Sequence, residues 1–247
     1  MTKIYEALEQ ANQERAVLRR ESTAASRALI VKEMPGPAAG IEETMSGLYQ
    51  NISALLPNRE DGRVVQFIAS RRGEGTSKLV REFAKVCSRK LGKKVLLLDA
   101  DQHHPAQPGS FGIRPETDWR HIVKDGREIK EALYQVEQSN LFISQLSMNT
   151  VALPPIFDAP QMDGLLSQLR REFDLILVDS PPGTRSADGV SLTRKMDGVV
   201  LVVEAEKTRW QVAEHVVEKI ENQGGKVLGV LLNKRRYPVP GFIYRRF

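Results

Sequence analysis

Val64-Val-Gln-Phe-Ile-Ala-Ser-Arg-Arg-Gly-Glu-Gly-Thr-Ser-Lys78 is the stretch on which the reading of this chain turns. Its first six residues predict a buried strand, and residues 79–89 predict a helix. Between them lies a glycine-rich turn. Glycines at 73 and 75 let backbone N–H groups converge on an anion, and the helix N-terminus adds its dipole to the same point. Gly73, Glu74, Gly75, Thr76 and Ser77 are therefore candidate nucleotide-binding residues, although a strand, turn and helix alone also fit a plain tight connection. The general phosphate-loop pattern places Lys directly after the last glycine, for the β- and γ-phosphates, and Ser or Thr next, for Mg²⁺. Here those positions are Thr76 and Ser77, so the hydroxyl is kept and the ammonium is not. At about 100° per residue, Lys78 is expected to point well away from position 76. Arg71 and Arg72, on the loop itself, are the better candidates for catalytic positive charge.

Working outward, further short runs rich in Val, Ile and Leu occupy residues 95–99, 141–145, 175–179, 199–203 and 227–232, separated by helical segments. Continuous apolar strands alternating with helices predict an α/β, doubly wound, mainly parallel sheet covered on both faces. Ligands then bind beyond the carboxyl ends of strands. Val95-Leu-Leu-Leu-Asp-Ala-Asp101 ends in carboxylates at i and i+2, on one side of the strand. Asp179 ends Leu175-Ile-Leu-Val-Asp-Ser-Pro-Pro182 in the same manner. Any one of these aspartates alone would serve as a helix cap. Together, at two strand tips beside a phosphate loop, they suit Mg²⁺, which is held by few protein oxygens plus phosphate and water.

The rest of the chain sets the context. Residues 1–20 place Ile4, Leu8, Ala11 and Leu18 on one helical face and read as an amphipathic arm. Residues 21–40, ending Met34-Pro-Gly-Pro-Ala-Ala-Gly40, read as a flexible linker. The domain itself is expected over 41–247, beginning with a helix whose apolar positions Met45, Leu48, Ile52, Leu55 and Leu56 pack on the domain or on a neighbouring subunit. One cysteine, Cys87, excludes a disulfide framework. With no apolar run near the roughly 20 residues that span a bilayer, and no signal-peptide core, a cytoplasmic location is expected. Net charge is +5, and Lys234, Arg235, Arg236, Arg245 and Arg246 crowd the end of the chain. Such a tail suits an anionic partner or simply stays solvated. Tyr237 and Tyr244, flanked by these arginines, are the candidate phosphate acceptors. His103 and His104 read as a loop pair that lacks a third metal ligand, and Trp119 and Trp210 as residues of surface segments, which either anchor a partner or, more often, cover the edge of a core.

The degenerate phosphate loop, Leu97-Leu-Asp-Ala-Asp101, Val178-Asp-Ser-Pro-Pro182 and Asp197-Gly-Val-Val-Leu-Val-Val203 together resemble the bacterial tyrosine kinases of capsule and exopolysaccharide synthesis, of the P-loop NTPase type. The resemblance runs over about residues 41–233, and Lys3-Ile-Tyr-Glu-Ala-Leu8 is similar to the N-terminal arms of soluble members. It implies ATP or ADP with Mg²⁺ as cofactors, and Ser77, Asp99 and Asp179 as metal-serving residues. It also implies Asp101 as an activator of an acceptor hydroxyl, Asn233 near the adenine, and a membrane-spanning polysaccharide co-polymerase as partner, with homo-oligomers possible. This sequence departs from the family at Thr76, at Ser46 and Tyr49 in the subunit-contact helix, and in a tyrosine cluster reduced to two. The expected function is thus a weak or silent kinase/ATPase that regulates exopolysaccharide assembly, peripheral at the inner membrane through its partner. An active autokinase using Arg71 or Arg72 is the alternative within enzymes. A partitioning-type ATPase binding membrane or DNA through the basic tail is a third reading, without a specific nucleic-acid partner.

Overall fold

The computed structural model describes residues 30–33, 40–102, 104–146, 161–184 and 187–234. The chain divides into two compact units, Met1–Ile30 and Val31–Phe247, and all described residues except Ile30 belong to the second. The expected N-terminal arm, with Tyr237 and Tyr244 of the tail, lies outside the described residues.

The strands are β1 (Ile30–Glu33), β2 (Arg63–Ala69), β3 (Val95–Asp99), β4 (Tyr134–Gln135), β5 (Leu141–Gln145), β6 (Leu175–Ser180), β7 (Gly198–Glu204) and β8 (Val227–Asn233). The sheet order is β1-β8-β7-β2-β6-β3-β5-β4. β2, β3, β5, β6, β7 and β8 pair in parallel, and β4 runs antiparallel to β5. All six predicted strands form within a residue or two of their expected ends. The linker is corrected at one point: Ile30–Glu33, within the expected flexible 21–40, is a strand beside β8. Its Ile-Val pair has the β-branched character that a sheet edge accepts.

Helices α1 (Ile41–Leu55), α2 (Thr76–Arg89), α3 (Gln107–Ser110), α4 (Trp119–Asp125), α5 (Gln161–Glu172), α6 (Ala187–Ser191) and α7 (Trp210–Asn222) connect these strands. Alternation along each strand feeds two cores. Val65, Phe67, Val95 and Leu97 join Met45, Leu48, Ile52, Leu79, Val80 and Phe83 on the face covered by α1 and α2. Val64, Leu96 and Leu98 join Trp119, Ile122, Met162, Leu166 and Leu169 on the other. The first helix therefore packs on its own domain. Trp119 corrects the surface expectation: it is fully buried, and its Nε1–H donates to Ser144 Oγ at 2.7 Å. A buried indole needs that acceptor. Trp210 is 66% exposed, as expected.

At the amino end of the sheet, Arg170 grips Asp197. Its Nη1 donates to Asp197 Oδ2 at 2.5 Å and its Nη2 to Oδ1 at 3.1 Å, while Val64 N–H donates to Oδ2 at 2.7 Å. This leaves the carboxyl end free to carry chemistry. Among the described residues, no helix is long and apolar enough to cross a membrane.

Candidate functional site: a phosphate loop and two buried carboxylates

β2 delivers the chain into residues 70–75, and α2 starts at Thr76, three residues earlier than the sequence suggests, because Gly75 caps it in the left-handed region. Gly73 and Gly75 sit at φ of +89° and +87°, where side chains are disfavoured. A Cβ on Gly75 would lie 2.6 Å from Asn233 Nδ2, so close approach also requires glycine there.

The loop is braced from inside. Glu74, expected at the nucleotide, is 2% exposed, and its carboxylate accepts from Ser70 Oγ at 2.8 Å, Arg71 N–H at 2.8 Å and Thr208 Oγ1 at 2.5 Å. Its hydrogen bonding is spent on the loop's own shape. Asn233, expected near an adenine, donates through Nδ2 to the Glu74 carbonyl at 2.8 Å. Lys234, which the sequence reading overlooked in this role, donates from Nζ to the Gly73 carbonyl and lies 3.5 Å from Glu204 Oε2. The signal for Lys234 was adjacency to Asn233, but its partner is 161 residues away.

Asp99 and Asp179 stand opposite one another as Cα partners of β3 and β6, and both are 2% exposed. Asp99 Oδ2 accepts from Ala106 N–H at 2.7 Å and Gln107 N–H at 2.8 Å, which is the capping role weighed from sequence. Gln107 Nε2 donates to Asp179 Oδ2 at 2.7 Å, and the neighbouring Ser77 side chain also favours the charged form of that carboxylate. Burial pushes the Asp99 carboxyl up to about 6. Burial, then the charge of Asp99, pushes Asp179 up to about 7. Two adjacent buried carboxyls that resist ionising together are what a divalent cation relieves. Among the described residues no group of three His, Cys, Asp or Glu side chains encloses a metal.

Over the loop opens a cavity of about 600 Å³ lined by Arg71, Arg72, Gly73 to Lys78, Asp101, His104 and the Ser180-Pro-Pro182 turn. Thr76 is 5% exposed, and its Oγ1 is buried without a partner. An orphaned hydroxyl at the N-terminus of α2, in the wall of a cavity shared with Gly73 and Gly75, fits a phosphate group. The structure thus brings Arg71, Arg72, Ser77 and Asp101 to one cavity, with Gln107 joining Ser77 to the Asp179 carboxylate and Asp99 beside it. It also places Lys78 in the cavity wall, contrary to the expectation that helix rotation removes it. Thr76 is buried and Lys78 exposed, yet both line the cavity. His104 lines the cavity too, and His103 lies outside the described residues.

A parallel sheet whose first described core strand feeds a glycine loop, with acidic tips on two neighbouring strands, defines the P-loop NTPase class. The family described as "ParA: NUBPL iron-transfer P-loop NTPase" matches residues 62–241, and the chain belongs to it. Tyrosine-protein kinase CpsD of Streptococcus pneumoniae is 26% identical over 214 residues, 81% of this chain and 89% of that protein. The crystal structure of the chimerical protein CapA2B2 superposes with a TM-score of 0.72 at 21% identity, covering 88% of this chain and 99% of that one. MinD complexed with Mg-ADP from Pyrococcus horikoshii OT3 superposes with a TM-score of 0.60 at 18% identity, covering 75% and 76%. The chain accordingly resembles both exopolysaccharide tyrosine kinases and P-loop NTPases. The iron-transfer part of the family description does not fit: iron–sulfur clusters need several thiolates, whereas this chain has one cysteine, buried, with its thiol pushed up to about 12 by burial.

Proposed function

We propose that this protein is a Mg²⁺-nucleotide-binding regulator of exopolysaccharide assembly, related to tyrosine autokinases but with weak or absent phosphoryl transfer. The observation that carries this reading is the pairing of two buried carboxylates, Asp99 and Asp179, at neighbouring strand tips beside a glycine loop with a lost charge, since position 76 holds a buried threonine. Mg²⁺, when bound, neutralises charge between the phosphates. The chain's part is to bind and orient. Loop amides, with Thr76 Oγ1 as a spare donor, receive phosphate oxygens; Ser77, Asp99 and Asp179 hold the metal side. Asp101, which lines the cavity, has the proposed role of receiving a proton from an acceptor hydroxyl. Tyr237 and Tyr244 are the proposed acceptors if transfer occurs. The partner is a membrane polysaccharide co-polymerase, which would hold this protein at the inner membrane.

Isothermal titration with ATP and ADP, with and without Mg²⁺, tests the reading, alongside phosphotyrosine detection after incubation with Mg-ATP. Metal-dependent nucleotide binding without rapid turnover is expected. Thr76→Lys should raise hydrolysis by about tenfold or more, since preorganised charge at the transferring group dominates this chemistry. Absence of nucleotide binding would end the proposal, and strong tyrosine phosphorylation by the unaltered protein would favour the active kinase.

A further inference from the structure

We propose that Lys78 is a phosphate-binding residue of this cavity, supplying from the first turn of α2 the ammonium that is absent at position 76. The inference rests on the nucleotide reading above and deepens it. Lys78 lines the same cavity as Gly73, Thr76 and Ser77 and is exposed. The acceptor that helix geometry offers it is Glu82, four residues on. That carboxylate instead pairs with Lys85 at 3.0 Å, and no hydrogen bond or ion pair engages the Lys78 side chain among the described residues.

Its place on the helix runs against the fold's own interest. The first turn of α2 contains no acidic residue, and a cation there opposes the positive end of the helix dipole. An anion held between that ammonium and the helix N-terminus turns this small repulsion into attraction. Glu74 does not supply that anion, because its oxygens are taken by Ser70, Arg71 N–H and Thr208. A phosphate group in the cradle does. Lysine suits the task as a compact point charge on a flexible stem, able to follow a phosphate chain without the fixed reach that position 76 would impose.

The test titrates wild type, Lys78→Met and Lys78→Arg with Mg-ATP, Mg-ADP and magnesium pyrophosphate, at low and moderate salt. Lys78→Met should raise Kd about tenfold for all three, the usual loss on removing one charge-assisted contact, and should flatten the salt dependence. Lys78→Arg should recover most of the affinity. The ligand-free melting temperature of Lys78→Met should stay level or rise, because a cation leaves the helix N-terminus. Affinity within twofold of wild type in Lys78→Met would overturn the role of Lys78 and leave the nucleotide reading standing. Failure of wild type to bind any of the three ligands would overturn the nucleotide reading and the inference with it.

Discussion

Replacing Gly75 by alanine asks whether the phosphate loop is shaped by its own glycines or by a strand far away in sequence. Two costs meet at one atom. Backbone at φ +87° is disfavoured for an L side chain by about 1 kcal/mol. The new Cβ would lie 2.6 Å from Asn233 Nδ2, so that amide must swing away and give up its 2.8 Å bond to the Glu74 carbonyl. Leaving the partly buried carbonyl short costs about 1–1.5 kcal/mol more. The total of about 2–2.5 kcal/mol should lower the melting temperature by roughly 4–10 °C in a domain of this size. Scanning calorimetry of Gly75→Ala, Asn233→Ala and the double variant, all without nucleotide, measures it. Asn233→Ala alone should cost about 1 kcal/mol. Because it removes the obstacle, the double variant should be less unstable than the two losses added, by about 1 kcal/mol. Gly75→Ala melting within a degree of wild type, or strictly additive losses, would refute the claim that Asn233 constrains the loop.

Asp99 and Asp179 both have folded values raised from 3.8, to about 6 and about 7, so the folded state binds more protons than the unfolded one. Without divalent cations, stability should be full below pH 4 as far as these groups go and should fall as pH rises through 6 to 7; a urea midpoint that climbs over that window in wild type but not in Asp179→Asn would contradict this. Asp197→Ala leaves Arg170, whose side chain is 10% exposed, without its bidentate partner, and should destabilise by about 3–5 kcal/mol in chemical denaturation. Loss under 1 kcal/mol would mean the pair is replaceable by water. Cys87, buried with its thiol pushed up to about 12, should resist iodoacetamide at pH 8 until denaturant is added, and rapid labelling of the native protein, read by mass spectrometry, would contradict the burial.

The strands were legible because each is a continuous apolar run, and a parallel sheet covered on both faces has no polar side to interrupt it. The acidic tips were legible for the same reason: Asp99 and Asp179 end those runs, and the carboxyl edge is where such residues meet a ligand. What escaped reading was everything set by distant contact. Trp119 follows polar residues and looks exposed, yet Ser144 satisfies its indole from another element. Ile30–Glu33 is a strand only because β8 is beside it. Glu74 looked like a ligand residue until Thr208, 134 residues on, claimed one of its oxygens. Lys78 was misjudged for a different reason: rotation about the helix turns it away from position 76, yet both residues line the same cavity.

The clasp of Asn233 and Lys234 on Glu74 and Gly73 also sets a timetable for the nascent chain. β2 and the loop leave the ribosome roughly 160 residues before their fasteners do. Helix α2 and much of the central sheet can form in that interval, while the loop carbonyls wait for donors that have yet to be translated. Competence to capture a ligand would then arrive at one late moment in synthesis, after β8 docks, so that a message truncated ahead of residue 227 would yield the core of the fold with an unfastened loop.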